Sequence, residues 1–201
     1  MAVTVANGTT WATDFFKGIA FSATDELIVA NNNQSAITSA YRWHWTQAAG
    51  TNIAVTTPTQ AYSIAAGEQD KVLEIASANL LSGSTQLPEL LIYSDPIVPL
   101  TSTTGQPLAV SMTGPTAIRL YPAPDASYTF QFRYYARPIV FAANTESYQC
   151  PANFGVVVRD GIIWQAALFL DDERAPEFGK TFYAGLNQLI EIEKRTMEVR
   201  R

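Results

Sequence analysis

The chain has 201 residues, 47% of them apolar, and a net charge of −5 carried on only 15% charged side chains. That is enough chain to bury a real core in one large domain or two small ones, and the missing basic surplus argues against a specific nucleic-acid binder. Cys150 and His44 each stand alone, which excludes an internal disulfide and the zinc sites that need several Cys or His ligands from one chain.

The first residues, MAVTVANGTT, lack the basic start and apolar run of a secretory signal. No window reaches the roughly 18 apolar residues of a membrane span, so the expectation is a soluble product folded in a reducing cytoplasm. Thr10 to Phe16 reads as a short helix with Trp11, Phe15 and Phe16 inward, ending near Gly18. Ser22 and Asp25 have capping-box spacing, although Asp stands where Glu or Gln is better, and Leu27 and Ile28 then pack inward. Asn31, Asn32 and Asn33 weaken this helix, because asparagine competes for backbone hydrogen bonds. Ile37, Tyr41 and Trp45 keep helical spacing while Trp43 and Trp45 alternate, which predicts a helix fading into a strand near Arg42.

Residues 50 to 148 read as strands. Short apolar runs over 52–56, 60–64, 71–76, 89–93, 108–112, 116–121 and 127–135 are separated by Gly, Pro, Ser and Asp. The clearest follows Pro122, Pro124 and Asp125, a turn by composition. There Tyr128, Phe130, Phe132 and Tyr134 share one face while Thr129, Gln131 and Arg133 share the other. From Pro151 the period changes. Phe154, Val157, Val158, Trp164, Ala167 and Leu168 fit one helix, with Gly155 and Gly161 as costs inside it. Phe178, Phe182, Leu186, Leu189, Ile190 and Met197 form the stripe of a second, with Pro176 in its first turn and Asp171 to Glu173 marking the link of an αα-hairpin. The fold class is therefore α+β: a helical bundle built from N-terminal (1–48) and C-terminal (151–201) helices, with an antiparallel β-sandwich or barrel module (49–150) inserted between them.

Chemistry is harder to find. Asp171, Asp172 and Glu173 could hold a divalent cation, but as a helix link they need no metal. Asp70 with Glu74, or Glu89 with Asp95, could be imagined as an acid/base pair, yet isolated carboxylates at turns are usually just solvated. His44 could be a general base, but no nucleophile motif accompanies it. Trp11, Trp43, Trp45 and Trp164 could stack on sugars or simply pack. Gly105 and Gly114 belong to no phosphate-cradling motif. The expectation is no enzyme, no metal and no cofactor. The last stretch, Glu191 to Arg201, alternates signs and ends in two arginines. It reads either as a helix end that complements its own dipole or as an amphipathic element that docks into a partner.

The run from Ile118 to Thr129, then Tyr134, Tyr135 and Pro138, then AALFLDDERA over 166–175, resembles the head-to-tail adaptor (connector, tail tubular protein A-like) proteins of short-tailed bacteriophages. Trp43 and Trp45, Gln60 to Ile64, and Gly105 to Pro107 fit the same pattern in the same order, so the likeness spans roughly residues 20 to 195. The resemblance implies a structural virion protein of the neck, assembled in the host cytoplasm. It would form a ring, typically dodecameric, beneath the portal protein, extend the channel through which genomic DNA passes in packaging and ejection, and present a platform for the tail nozzle. It also implies a C-terminal portal-docking element, for which Lys194, Arg195, Met197, Arg200 and Arg201 are the candidates. An acidic channel wall would let DNA slide. The alternatives are a carbohydrate-binding β-sandwich module of a tail or receptor-binding component, and a hydrolase that uses the acidic residues.

Overall fold

In the computed structural model, which describes residues 3–17, 19–93 and 103–199, the chain divides into two units. One joins the stretch up to Trp45 to the stretch from Pro138 onward, and the other is Thr46–Arg137. The mixed α+β class holds: helices lie in the N- and C-terminal regions, with a β module between them.

In the helical unit, helix α1 (Val5–Phe15) starts earlier than its apolar pattern suggests, because Thr4 caps it. The Thr4 hydroxyl accepts the Asn7 N–H at 3.1 Å, and the Asn7 carboxamide oxygen accepts the Thr4 N–H at 3.2 Å. Helix α2 (Ala23–Ser39) opens on the expected box: Ser22 Oγ accepts from Asp25 N, and Asp25 Oδ2 accepts from Ser22 N at 3.1 Å. Asp reaches back as Glu would. The three asparagines do not interrupt α2. The Asn31 carboxamide brackets the Phe141 backbone, accepting its N–H at 2.6 Å and donating to its C=O at 3.2 Å, while Asn33 Nδ2 donates to Val158 O at 2.9 Å. The Asn31 carboxamide and Asn33 Nδ2 are thus committed to distant partners rather than to the local backbone, although the buried Asn33 Oδ1 has no hydrogen-bond partner among the described residues. The buried series is Val29, Ala30, Asn33, Gln34 and Ile37, which turns Ile28 outward, contrary to the expected inward packing.

The predicted fade into a strand near Arg42 becomes a bend followed by a 3-10 turn at His44–Thr46. The β unit then carries β1 (Gln47–Ala49), β2 (Ile53–Val55), β3 (Ala61–Ser63), β4 (Val72–Ser82), β5 (Thr85–Glu89), β6 (Leu91–Tyr93), β7 (Thr104–Gly105), β8 (Ala109–Met112), β9 (Ala117–Tyr121), β10 (Ala123–Pro124) and β11 (Tyr128–Ala136). One sheet runs β1-β11-β4-β5 with β2 also on β11, all antiparallel. A second runs β3-β9-β8-β6, where β6 and β8 are parallel, and the two-residue strands β7 and β10 form a separate parallel pair. The module is thus mixed rather than purely antiparallel, because the long connection from Tyr93 to Ala109 permits the crossover that parallel pairing requires. β4 and β5 meet in a two-residue hairpin at Gly83 and Ser84, where Gly83 takes φ 61°.

Phe130, Phe132 and Tyr134 of β11 are buried with Leu80, Val110, Ile118 and Leu120, so side chains of both sheets form one core. Arg133 on the opposite face is exposed. Beyond Ala136 the ladder stops. Residues 138–150, which the expected boundaries assign to the β module, belong to the helical unit: Phe141 and Tyr148 are buried in its core, and Thr4 bridges Ser147.

Helix α3 (Gly155–Phe169) packs against α1, α2 and α4 (Ala175–Val199). Leu168, expected inward, is half exposed, whereas Ala166 and Ala167 are buried. The α3–α4 link is a Schellman motif: Asp171 adopts φ 54°, its N–H reaches Leu168 O, and Asp172 N–H reaches Ala167 O at 2.9 Å. Gly161, a cost by propensity alone, is a spacer. A Cβ there would collide with the Asn33 carboxamide and lie 2.8 Å from the Phe182 ring.

The Gly161→Ala substitution checks this. In an exposed helix it would stabilise by up to about 1 kcal/mol. Here overpacking should instead cost about 1–3 kcal/mol in urea unfolding. A gain in stability would show that α2 and α3 are not in close contact at this point.

Candidate partner interface

Among the described residues, no group of three or more His, Cys, Asp or Glu side chains could hold a metal ion, and no helix is long and apolar enough to cross a membrane. The densest carboxylate cluster is engaged locally. Asp172 Oδ2 accepts from the Arg174 guanidinium at 2.7 Å, and its Oδ1 accepts from Arg174 Nε and from the Arg174 backbone N–H. These bonds hold its carboxyl down at about 2. The same guanidinium sits 5.6–6.0 Å from the ring centroids of Phe15, Phe16 and Phe178. Asp70 lies in an exposed turn and Glu74 in β4 opposite Tyr135, while Asp95 lies outside the described residues.

All four tryptophans belong to the helical unit. Trp43 is fully buried, donates to Ile37 O at 2.7 Å and stacks on Trp45, with Phe154 edge-on to both. Trp164 stacks on Phe182. A sugar platform on the β unit therefore has no indole among the described residues. The His44 backbone N–H donates to Glu193 at 2.9 Å. Cys150 is half-buried, and burial pushes its thiol up to about 11, which slows its reactions.

What remains is surface. α4 has 25 residues and α3 has 15, so α4 is longer by about 15 Å at 1.5 Å per residue. Its core contacts end near Leu189 and Ile190. Beyond them an inner stripe of Ile190, Glu193 and Met197 stays half-buried, with Glu193 tied to His44. The outer face carries exposed Ile192, Lys194 and Arg195, and Lys194 pairs with Glu191 at 2.7 Å. So of the residues proposed for docking, Lys194 and Arg195 share the exposed side, Met197 lies on the inner stripe, and Arg200 and Arg201 fall outside the described residues. Ile192, an isoleucine 54% exposed between charges, was not singled out by the sequence pattern.

A second surface was also missed. Between α1, α3 and α4 lies an open cleft of about 530 Å³, with Trp11, Phe15, Ile163 and Phe178 as its apolar walls and Asp14, Arg159 and Asp160 among its lining. Phe15, Phe16 and Phe178 meet edge to face at 5.1–6.3 Å. Phe15, expected inward, is 43% exposed here. No single segment signals this cleft, because its walls come from three helices and exist only once these pack.

In comparisons with known proteins, a family model described as SU10 adaptor protein matches residues 9–201. No curated protein matches the chain.

The Asp172–Arg174 contact has a pH signature. A carboxyl held below its ordinary 3.8 adds stability above that value and loses it as pH falls toward 2. Asp172→Asn should therefore lower the urea midpoint at pH 6, with the gap to the native chain closing between about pH 4 and 2. A gap unchanged across that range would rule out the charge-assisted contact.

Proposed function

Since this chain belongs to the SU10 adaptor protein family, a structural rather than catalytic family of phage virion proteins, we propose that it is the head-to-tail adaptor ring of a phage neck. In this reading it binds beneath the portal, extends the channel through which genomic DNA passes and gives the tail nozzle its platform. The observation that carries the reading is the family match from residue 9 to residue 201, which takes in both helical stretches and the inserted β module. The features of the described residues are consistent with it: carboxylates bound locally, indoles packed into a core, and exposed surface on α4.

The C-terminal end of α4 is the docking element of this reading, with Lys194, Arg195 and Ile192 at its exposed face and Met197 half-buried on the opposite one. An amphipathic helix end with exposed apolar and charged side chains suits a partner's groove. The acidic balance of the chain, net −5, fits a channel wall that does not grip phosphates.

Mixing the protein with its portal should give a stable ring complex by light scattering and electron microscopy. Monomer before mixing is compatible with a ring that forms on the portal. Free monomer after mixing would overturn the reading. Reversing both cations, Lys194→Glu with Arg195→Glu, should weaken portal binding while leaving the fold intact, and the loss should shrink as salt is added.

A further inference from the structure

The ring reading gives no account of which surfaces join one copy to the next, and the cleft between α1, α3 and α4 supplies one. We infer that the cleft receives a second copy of this chain, through the Tyr183 and Lys180 side chains on that copy's α4. The inference rests on the ring reading and adds the residues of its lateral contact.

Phe178 and Thr181 line the cleft. Lys180 and Tyr183 each follow one of them by two positions, which is about 200° around a helix of 3.6 residues per turn. The cleft and the Lys180–Tyr183 pair therefore project from opposite sides of one helix, one a depression and the other a projection. Tyr183 is 48% exposed although aromatic, and it is braced from below: Trp164 meets it edge to face at 5.2 Å and Phe182 at 5.0 Å. A rigid aromatic side chain with a polar tip is the type of anchor that interfaces favour.

Charge then selects the occupant. The cleft is walled by aromatics, and its lining includes two carboxylates, Asp14 and Asp160, against one guanidinium. That guanidinium, Arg159, is already paired to Asp160 at 2.9 Å. An incoming group that suits this lining is an aromatic ring accompanied by a cation. Lys180 stands one turn from Tyr183 and is exposed, so the pair supplies both. The chain is acidic as a whole, so two copies repel unless a basic element of one meets an acidic element of the other. Because projection and depression are different patches, the contact is heterologous, and repetition gives a closed ring when the rotation closes and an open filament when it does not.

The full chain carrying Asp14→Cys and Lys180→Cys together tests this, oxidised mildly alone and with portal, beside the two single variants. The expected result is a ladder of covalent multimers from the double variant only, since residues 14 and 180 of one copy meet only their counterparts in neighbours. Tyr183→Ala, a half-exposed position whose circular dichroism should stay native, is expected to raise the concentration for half-assembly on the order of tenfold. Assembly by light scattering without a ladder, or assembly unaffected by Tyr183→Ala, overturns the inference and leaves the ring reading standing. Monomer under every condition, portal included, removes both.

Discussion

The close approach of α2 and α3 at Gly161 is the constraint on which the helical unit rests. Asn33 lies 125 residues from its acceptor, Val158 O, and the bond between them is fully buried. Tyr148, from the segment that returns out of the β unit, places its hydroxyl 3.5 Å from Asn33 Nδ2 and donates to Ala30 O at 3.3 Å. Burial raises the phenol's pKa, so it is kept as a neutral donor. One polar knot thus joins the helix before the insertion, the return segment and the first helix after it. Buried hydrogen bonds of this kind are costly to break singly, because the orphaned partner stays desolvated. They specify register as well as adding stability.

The insertion is compatible with that knot because of how the β unit begins and ends. β1 is its first strand and β11 its last, and they are paired directly, Gln47 opposite Tyr135. The chain therefore enters and leaves the unit side by side, the arrangement in which one domain can be inserted into another without distorting the host. β11 also pairs with β2 and β4, so the aromatic strand that closes the insertion is the one that organises its larger sheet. Packing of Phe130, Phe132 and Tyr134 fixes its register, since a one-residue slip would bring Arg133 to the core.

How much of this could be read from sequence depended on whether a signal was local. The Ser22–Asp25 box, the alternation of β11 and the helix link at Asp171 are local patterns, and each is present in the structure. The asparagine run failed as a signal because its physics is tertiary: Asn31 and Asn33 bond to segments more than a hundred residues away. Gly161 counts in the sequence only as a propensity cost for the same reason, since its role as a spacer depends on α2. Strands β7 and β10, two residues each, are too short for periodicity to register and exist only through each other. Of the candidate interface, the charged end of α4 was legible as composition. The aromatic cleft was not, because Phe15 and Phe178 read as core residues until three helices are placed together.

The forces that hold the helical unit are distributed unevenly between its surface and its core. The ion pairs Arg159–Asp160, Arg174–Asp172 and Lys194–Glu191 each join residues no more than three apart, and all have well-exposed members. Such exposed pairs add little to stability, because water screens them and ordering two long side chains opposes them. The aromatic clusters in the helical core, Trp43 with Trp45 and Phe154, and Trp164 with Phe182, bury far more area and do not depend on which charges lie outside them. The exposed Glu191–Lys194 pair on α4 can be exchanged at little cost to the fold, whereas Asn33, Gly161 and Trp43 cannot change without loosening it. The exposed face of α4 can thus vary while the buried knot stays fixed.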